Sequence, residues 1–378
     1  MKEKEWRGFA VQSVVLLVVV LILSVFHPGD IIRENGTKVM ADGTAAAENN
    51  KKHKKKEALQ EYEGPIRTDE AHAKERSSTY IKIPKTAVPT GASIYLTDNY
   101  MKQRISLVIG GTSGKKIKKE DIARYNNGSK FTGSTSKNNK KDIIENISTR
   151  YYITKKKKYR TVLEFKTKHL YAPVLYETDT GYFISLAKPR DVYDKIVVLD
   201  AGHGGIDEGT SSAKGHHEKE YTLLVLKELK KLMDKTDIKV YYTRLSDQKV
   251  TKAARTDLAN KLEADLFISI HCNSSEKGDG RAYGVETLYS KRKPVNSRLG
   301  NRKLSQIMLD SVAEEVDNKK RGVIRREGLY IMHHSDVPVS IIEIGYMSNK
   351  SDLKYILSKN GRKKVAKGIY KGIMEALG

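Results

Sequence analysis

The sequence predicts an α/β domain over residues 195–378, with a mixed sheet flanked by helices on both faces. A small all-β domain over 79–190 and an N-terminal membrane helix precede it. Three observations predict this. From Lys195 onward, short apolar runs alternate with stretches of helical period. Between Thr79 and Arg190, apolar residues recur at every second position between turn clusters. Near the start, Gly8–Phe26 is an almost uninterrupted apolar run, close to the length that a membrane crossing needs.

The chain has 378 residues, with 70 Lys and Arg against 46 Asp and Glu, a net charge of +24. Such an excess favours polyanionic surroundings: nucleic acid, anionic headgroups or an anionic wall polymer. Lysine dominates the basic runs, whereas base reading favours arginine. Diffuse attraction to wall polymers or a membrane surface is therefore expected, and nucleic acid is not. The single cysteine, Cys272, rules out an intrachain disulfide.

Met1–Arg7 is short and charged and reads as a cytoplasmic N-terminus. Residues 8–26 read as a transmembrane signal-anchor that places the rest of the chain outside the cytoplasm at the cell membrane. A cleaved signal peptide, giving a secreted protein, is the alternative. His27-Pro28-Gly29-Asp30 follows the apolar run where a small-residue cleavage site would stand, and Val39-Met40-Ala41 lies well downstream. Residues 27–78 are polar and lysine-rich, without apolar period, and read as a disordered basic tether.

In the β domain, strands are expected around 80–83, 93–96, 105–109, 151–153, 161–165 and 182–186. Ser129–Lys141 reads as a polar loop. In the α/β domain, strands are expected at 196–199, 238–243, 266–272, 285–289, 330–332 and 339–344. Helices are expected at 218–235, 253–262, 304–316 and 350–377, the last with a break at Gly361.

Open α/β sheets gather reactive loops beyond the carboxyl ends of their strands. His203, in Ala201-Gly202-His203-Gly204-Gly205, follows the first strand, and His271 ends another. Glu218 opens the first helix. Two imidazoles and a carboxylate suit zinc with a fourth position left for water. Glu343 is an acid inside an apolar strand, where partial burial raises a carboxyl toward values useful for proton transfer. The alternative is a structural partner of Arg244 or Arg255. Cys272 should point to the opposite face of its strand from His271 and pack in the core. His216, His217, His333 and His334 read as exposed loop residues.

Five pieces in order carry a resemblance: LDAGHGGIDEG, HEKEYTLLV, the arginine of AARTDLANKLEADLFISIHCNS, GVETLYS and PVSIIEIGYMSN. With them the chain resembles the zinc-dependent N-acetylmuramoyl-L-alanine amidases, cell-wall hydrolases, from Lys195 to the C-terminus. The resemblance implies one zinc ion held by His203, Glu218 and His271, with Glu343 as the catalytic acid–base. It implies cleavage of the amide between the muramyl lactyl group and the L-alanine of the stem peptide, with peptidoglycan as substrate and scope for a protein activator. Asn273 and Arg255 are the candidate substrate contacts. The strands around Arg160–Pro189 are similar to the AMIN-type β modules that precede some wall amidases, which implies wall binding. Some relatives carry an inserted blocking helix; the segment 273–301 is short and polar, so an open groove is expected. Two other functions remain open: an inactive wall-binding scaffold, and a zinc peptidase acting within the stem peptide.

Overall fold

The computed structural model describes residues 78–111, 117–135, 138–153, 159–275, 280–295 and 297–378. The apolar run 8–26 and the tether lie outside the described residues. Among the described residues, no helix is long and apolar enough to cross a membrane.

Among the described residues, the first part holds nine antiparallel strands in two sheets. One sheet holds, in spatial order, β5 (Ser129–Phe131), β4 (Ala123–Asn126), β1 (Thr79–Pro84), β9 (Gly181–Ala187) and β8 (Ala172–Thr178). The other holds β2 (Ser93–Asn99), β3 (Arg104–Gly111), β7 (Tyr159–Thr167) and β6 (Ile144–Ile153). Ile81, Ile83, Leu107, Ile122, Leu163, Phe165 and Ile184 belong to its common core, as period-two strands facing one another require. The expected loop 129–141 begins as strand, because Asn127 and Gly128 adopt positive φ and close a tight hairpin between β4 and β5.

Among the described residues, the second part holds one six-stranded sheet. Its order is β11 (Lys239–Tyr242), β10 (Ile196–Ala201), β12 (Leu266–Asn273), β15 (Val339–Tyr346), β13 (Val285–Tyr289) and β14 (Lys320–Arg325). The first four run parallel, while β13 and β14 run against them, so the sheet is mixed. Its helices are α1 (Glu218–Met233), α2 (Lys252–Lys261), α3 (Asn301–Val316), α4 (Tyr330–His334), α5 (Lys350–Leu357) and α6 (Lys359–Leu377).

Alternate residues of each strand enter opposite cores. Val197, Leu199, Ile268 and Ile270 pack with α1, α3 and α6. Ile196, Val198, Phe267 and Val339 pack with Leu258 of α2, Ile331 and Met332 of α4, and Leu170 of the β domain. The β domain thus rests on the α2 face of the sheet. The Tyr100 hydroxyl reinforces this contact, donating to Tyr242 O at 2.8 Å and accepting from Tyr242 N at 2.7 Å on the edge strand β11.

Two expectations need correction. Residues 330–332 form the short helix α4, not a strand. Ile331 and Met332 are both buried in sequence, which strand alternation does not allow on a one-sided surface, and the Tyr330 ring stacks on His334 one turn later at 3.9 Å. The β domain adds β4, β5 and β8 to the six strands expected there, and in the second part the strand that was missed is β14, whose four charged or glycine positions among six hide any alternation. The C-terminal helical stretch breaks at Ser358, which caps α6 by accepting from Gly361 N. Gly361 lies inside that first turn, where a Cβ would stand 2.1 Å from Tyr355 O.

Candidate metal centre

The site lies where β10, β12 and β15 end. Cα positions of His271 and Glu343 are paired across β12 and β15, and those of Glu343 and Glu286 across β15 and β13. The three side chains therefore form a row across the sheet.

His203 follows β10 with φ of 61°, a left-handed conformation uncommon for a non-glycine residue and frequent at functional sites. Two buried arginines hold this turn. Arg244 donates to Ala201 O (2.9 Å) and Gly202 O (2.8 Å). Arg255 donates to Ala201 O (2.7 Å) and His203 O (2.7 Å). Arg255 also pairs with Asp200, which accepts from Ser269 Oγ at 2.6 Å and from Thr243 Oγ1. Burial alone would raise the Asp200 carboxyl, but Arg255 and the two hydroxyls outweigh it and hold it below the usual range. Gly202 is required here by space: a Cβ would lie 2.3 Å from the His271 ring.

His203, Glu218 and His271 offer ligand atoms that all lie within 4.8 Å of one another. His203 Nε2 is 3.2 Å from Glu218 Oε2, and His271 Nδ1 is 2.9 Å from Glu218 Oε1. Ligands about 2.0–2.1 Å from a tetrahedral zinc stand roughly 3.3 Å apart, and the two histidine–carboxylate distances are near that spacing. Asp207 Oδ1 takes the other ring nitrogen of His203 at 2.7 Å, which orients Nε2 toward Glu218. Glu218 is buried, and its carboxylate also accepts from Cys272 N and Thr210 N, each at 2.9 Å. Burial opposes its charge, yet the two histidines hold it well below the usual carboxylate range. A carboxylate kept ionised between two imidazoles fits a divalent cation.

Glu343 behaves in the opposite way. Its Oε2 is buried with no hydrogen-bond partner among the described residues. Burial pushes its carboxyl up to about 7; His271 opposes this, and the neighbouring Glu218 and Glu286 reinforce it. The alternative of a structural partner is answered by where the arginines go: Arg255 to Asp200 and backbone, Arg244 to backbone carbonyls.

The structure separates the remaining candidates. Arg255, expected as a substrate contact, is 3% exposed with its guanidinium occupied by Asp200 and the turn. It props the His203 loop through the carbonyls of Ala201 and His203. Asn273 stands at the rim, with its Nδ2 donating to Glu286 Oε2 at 2.7 Å. Cys272 packs in the core on the α1 face, opposite His271. His216 and His217 bond to Tyr221 and Ser211 at 3.1 and 2.8 Å and stand outside the cluster. His333 and His334 belong to α4, ahead of the start of β15. Between Asn273 and Asn301 the described residues contain strand β13 and no helix. Sequence reasoning missed Asp200, Asp207 and Glu286, and named Arg244 only as a possible partner of Glu343. Only Asp207 left a readable sign, an acid four residues after a candidate ligand.

Residues 197–375 match the family model described as N-acetylmuramoyl-L-alanine amidase. The germination-specific N-acetylmuramoyl-L-alanine amidase of Bacillus subtilis is 31% identical over 196 residues, 48% of this chain and 78% of that protein. This chain belongs to the N-acetylmuramoyl-L-alanine amidase family. It is also similar to a probable cell wall amidase, LytH, of Staphylococcus epidermidis, with 32% identity over 183 residues. That match covers 48% of this chain and 58% of the relative, so the chain spans little more than half the length of that protein. The crystal structure of an amidase from Clostridium difficile 630 is 30% identical over 48% of this chain and 96% of its own, with a TM-score of 0.45. The family model begins at residue 197, after the last strand of the β domain.

Proposed function

We propose that this chain is a zinc-dependent amidase that hydrolyses the bond between the lactyl group of N-acetylmuramic acid and the L-alanine of the stem peptide. The observation that carries the proposal is the pairing of opposites at one place. Glu218 is held ionised between two imidazoles, and Glu343, across one strand gap from His271, is held near neutrality. Family membership supports the same reaction.

His203, Glu218 and His271 would hold the metal. Bound there, zinc supplies Lewis acidity toward the scissile carbonyl and lowers the pKa of water. The chain supplies the rest. Asp207 and the two arginines fix the His203 ring and its backbone. With its carboxyl at about 7, Glu343 is suited to accept a proton from the attacking water and return it to the departing alanine nitrogen. The products are a glycan freed of its peptide and a stem peptide with a new L-alanine amine.

The N-terminal run 8–26 anchors the protein in the cell membrane with the catalytic domain outside, and the lysine-rich tether lies against anionic wall polymer or headgroups. The β domain serves as the wall-binding module. The test is fragment analysis by mass spectrometry of purified peptidoglycan digested with and without a chelator. Released peptides beginning at L-alanine, lost on chelation, are expected. Cuts inside the stem peptide would favour a zinc peptidase, and no cuts would favour an inactive scaffold.

A further inference from the structure

The fold directs Arg321 to the row of acids, beside Glu286. This arginine is the extra residue of a β-bulge: Val285 pairs with Lys320 and Glu286 with Gly322, so Arg321 has no partner of its own in the β13–β14 ladder. Bulges re-aim a side chain, and this one turns Arg321 back over β13. Gly284 makes the crossing feasible, since a Cβ there would stand 2.5 Å from Lys319 O and 3.2 Å from Arg321 Cγ.

The guanidinium that arrives is held on two sides. It lies over the Tyr346 ring at 5.0 Å, and its Nε faces Glu286 Oε1 at 3.5 Å. Glu286 is itself fixed through Oε2, which accepts from Asn273 Nδ2 at 2.7 Å and from the Tyr346 hydroxyl. Nη1 makes a 3.4 Å contact with Tyr283 O. Among the described residues nothing is bonded to Nη2, and the side chain is 29% exposed. A planar cation stacked on an aromatic ring, anchored through Nε and Nη1 and open at Nη2, is suited to hold one oxygen of a carboxylate.

We propose that Arg321 forms a carboxylate-binding subsite, reading the carboxyl carried by the residue that follows L-alanine in the stem peptide. This rests on the amidase reading above. One inter-strand spacing, roughly 5 Å, separates the strand of Glu343 from β13, where the guanidinium lies beside Glu286. A carboxylate two extended residues from the scissile amide stands roughly 7 Å from it, a reach that spans this spacing.

The test uses two preparations of purified peptidoglycan, one with that carboxyl free and one with it amidated, and the full-length protein. Wild type is expected to release stem peptide from the free form with a kcat/KM about tenfold to a hundredfold higher, the scale of one charge-assisted pair. Arg321→Met brings the ratio close to one, chiefly through KM, and Arg321→Lys retains part of it. A wild-type ratio near one, or a ratio unchanged in Arg321→Met, overturns the subsite while leaving the amidase reading intact. A wild-type protein that cuts neither preparation overturns that reading and the subsite with it.

Discussion

Each domain holds a loop with a buried arginine–aspartate pair. In the β domain, Arg124 meets Asp142 through Nη2 at 2.9 Å and Nε at 3.1 Å and donates to Gly133 O at 3.2 Å. In the catalytic domain, Arg255 meets Asp200 and donates to the carbonyls of Ala201 and His203. All four charged residues are under 5% exposed. The device is the same, but the cargo differs. Arg124 secures the polar crossing from β5 to β6, whereas Arg255 secures a turn that carries a metal-ligand candidate in a left-handed backbone conformation. A buried pair is weak evidence of stabilisation in itself. What it fixes is position, and position matters most where an imidazole must meet a carboxylate.

The largest expected effect separates chemistry from scaffold at the site that the Arg255 turn serves. Glu343→Gln keeps zinc but lowers turnover by about 10²–10⁴-fold, the usual worth of a positioned acid–base. Metal analysis beside peptide-release assays checks this, and wild-type rates would remove Glu343 from the mechanism.

The two pairs can be broken in parallel. Arg255→Met and Arg124→Met each strand a buried aspartate, and each should cost about 3–5 kcal/mol of stability in denaturant unfolding. Only the first should also weaken zinc binding and turnover per folded molecule. Equal losses of zinc in both would mean that Arg255 does no more for the site than Arg124.

Asp207→Asn tests a smaller support of the same turn. It removes the carboxylate behind His203 Nδ1 and should weaken zinc affinity by about 10–100-fold, measurable by competition with a chromophoric chelator, with folding retained.

The smallest effect lies in the β domain, on β2. Burial pushes the Asp98 carboxyl up to about 7, with Lys239 opposing only in part. Unfolded, it titrates near 3.9. Between these values the folded chain keeps a proton that the unfolded chain has released, so this group costs stability as pH rises from about 4 to about 7, and fully above that. Asp98→Asn should therefore be more stable than wild type above pH 7, on the order of 2 kcal/mol, with no gain near pH 4. Urea unfolding at the two pH values measures it.

The comparison also shows what the sequence could carry. Buried parallel strands ending in glycine and histidine announce themselves, because strand, turn and ligand are contiguous; His203, His271 and Glu343 were readable for that reason. Glu218 was readable as the opening of a helix. The supports were not readable. Asp200 and Arg255 are 55 residues apart in sequence, and nothing local distinguishes an arginine that props a turn from one that meets a substrate. β14 was hidden by its charges, and Arg321 with it, since a bulge is a property of two strands in register and not of one segment. The hairpin at Asn127-Gly128 carried its own signal, but the three-residue strand after it was too short to show a period.

His203, Glu218 and His271 are expected to hold a single ion. Zinc content per chain, measured in wild type, Glu218→Ala and Glu343→Gln purified alike, tests it most directly. Close to one is expected in wild type and Glu343→Gln, and close to none in Glu218→Ala. Equal zinc in Glu218→Ala and wild type would contradict it.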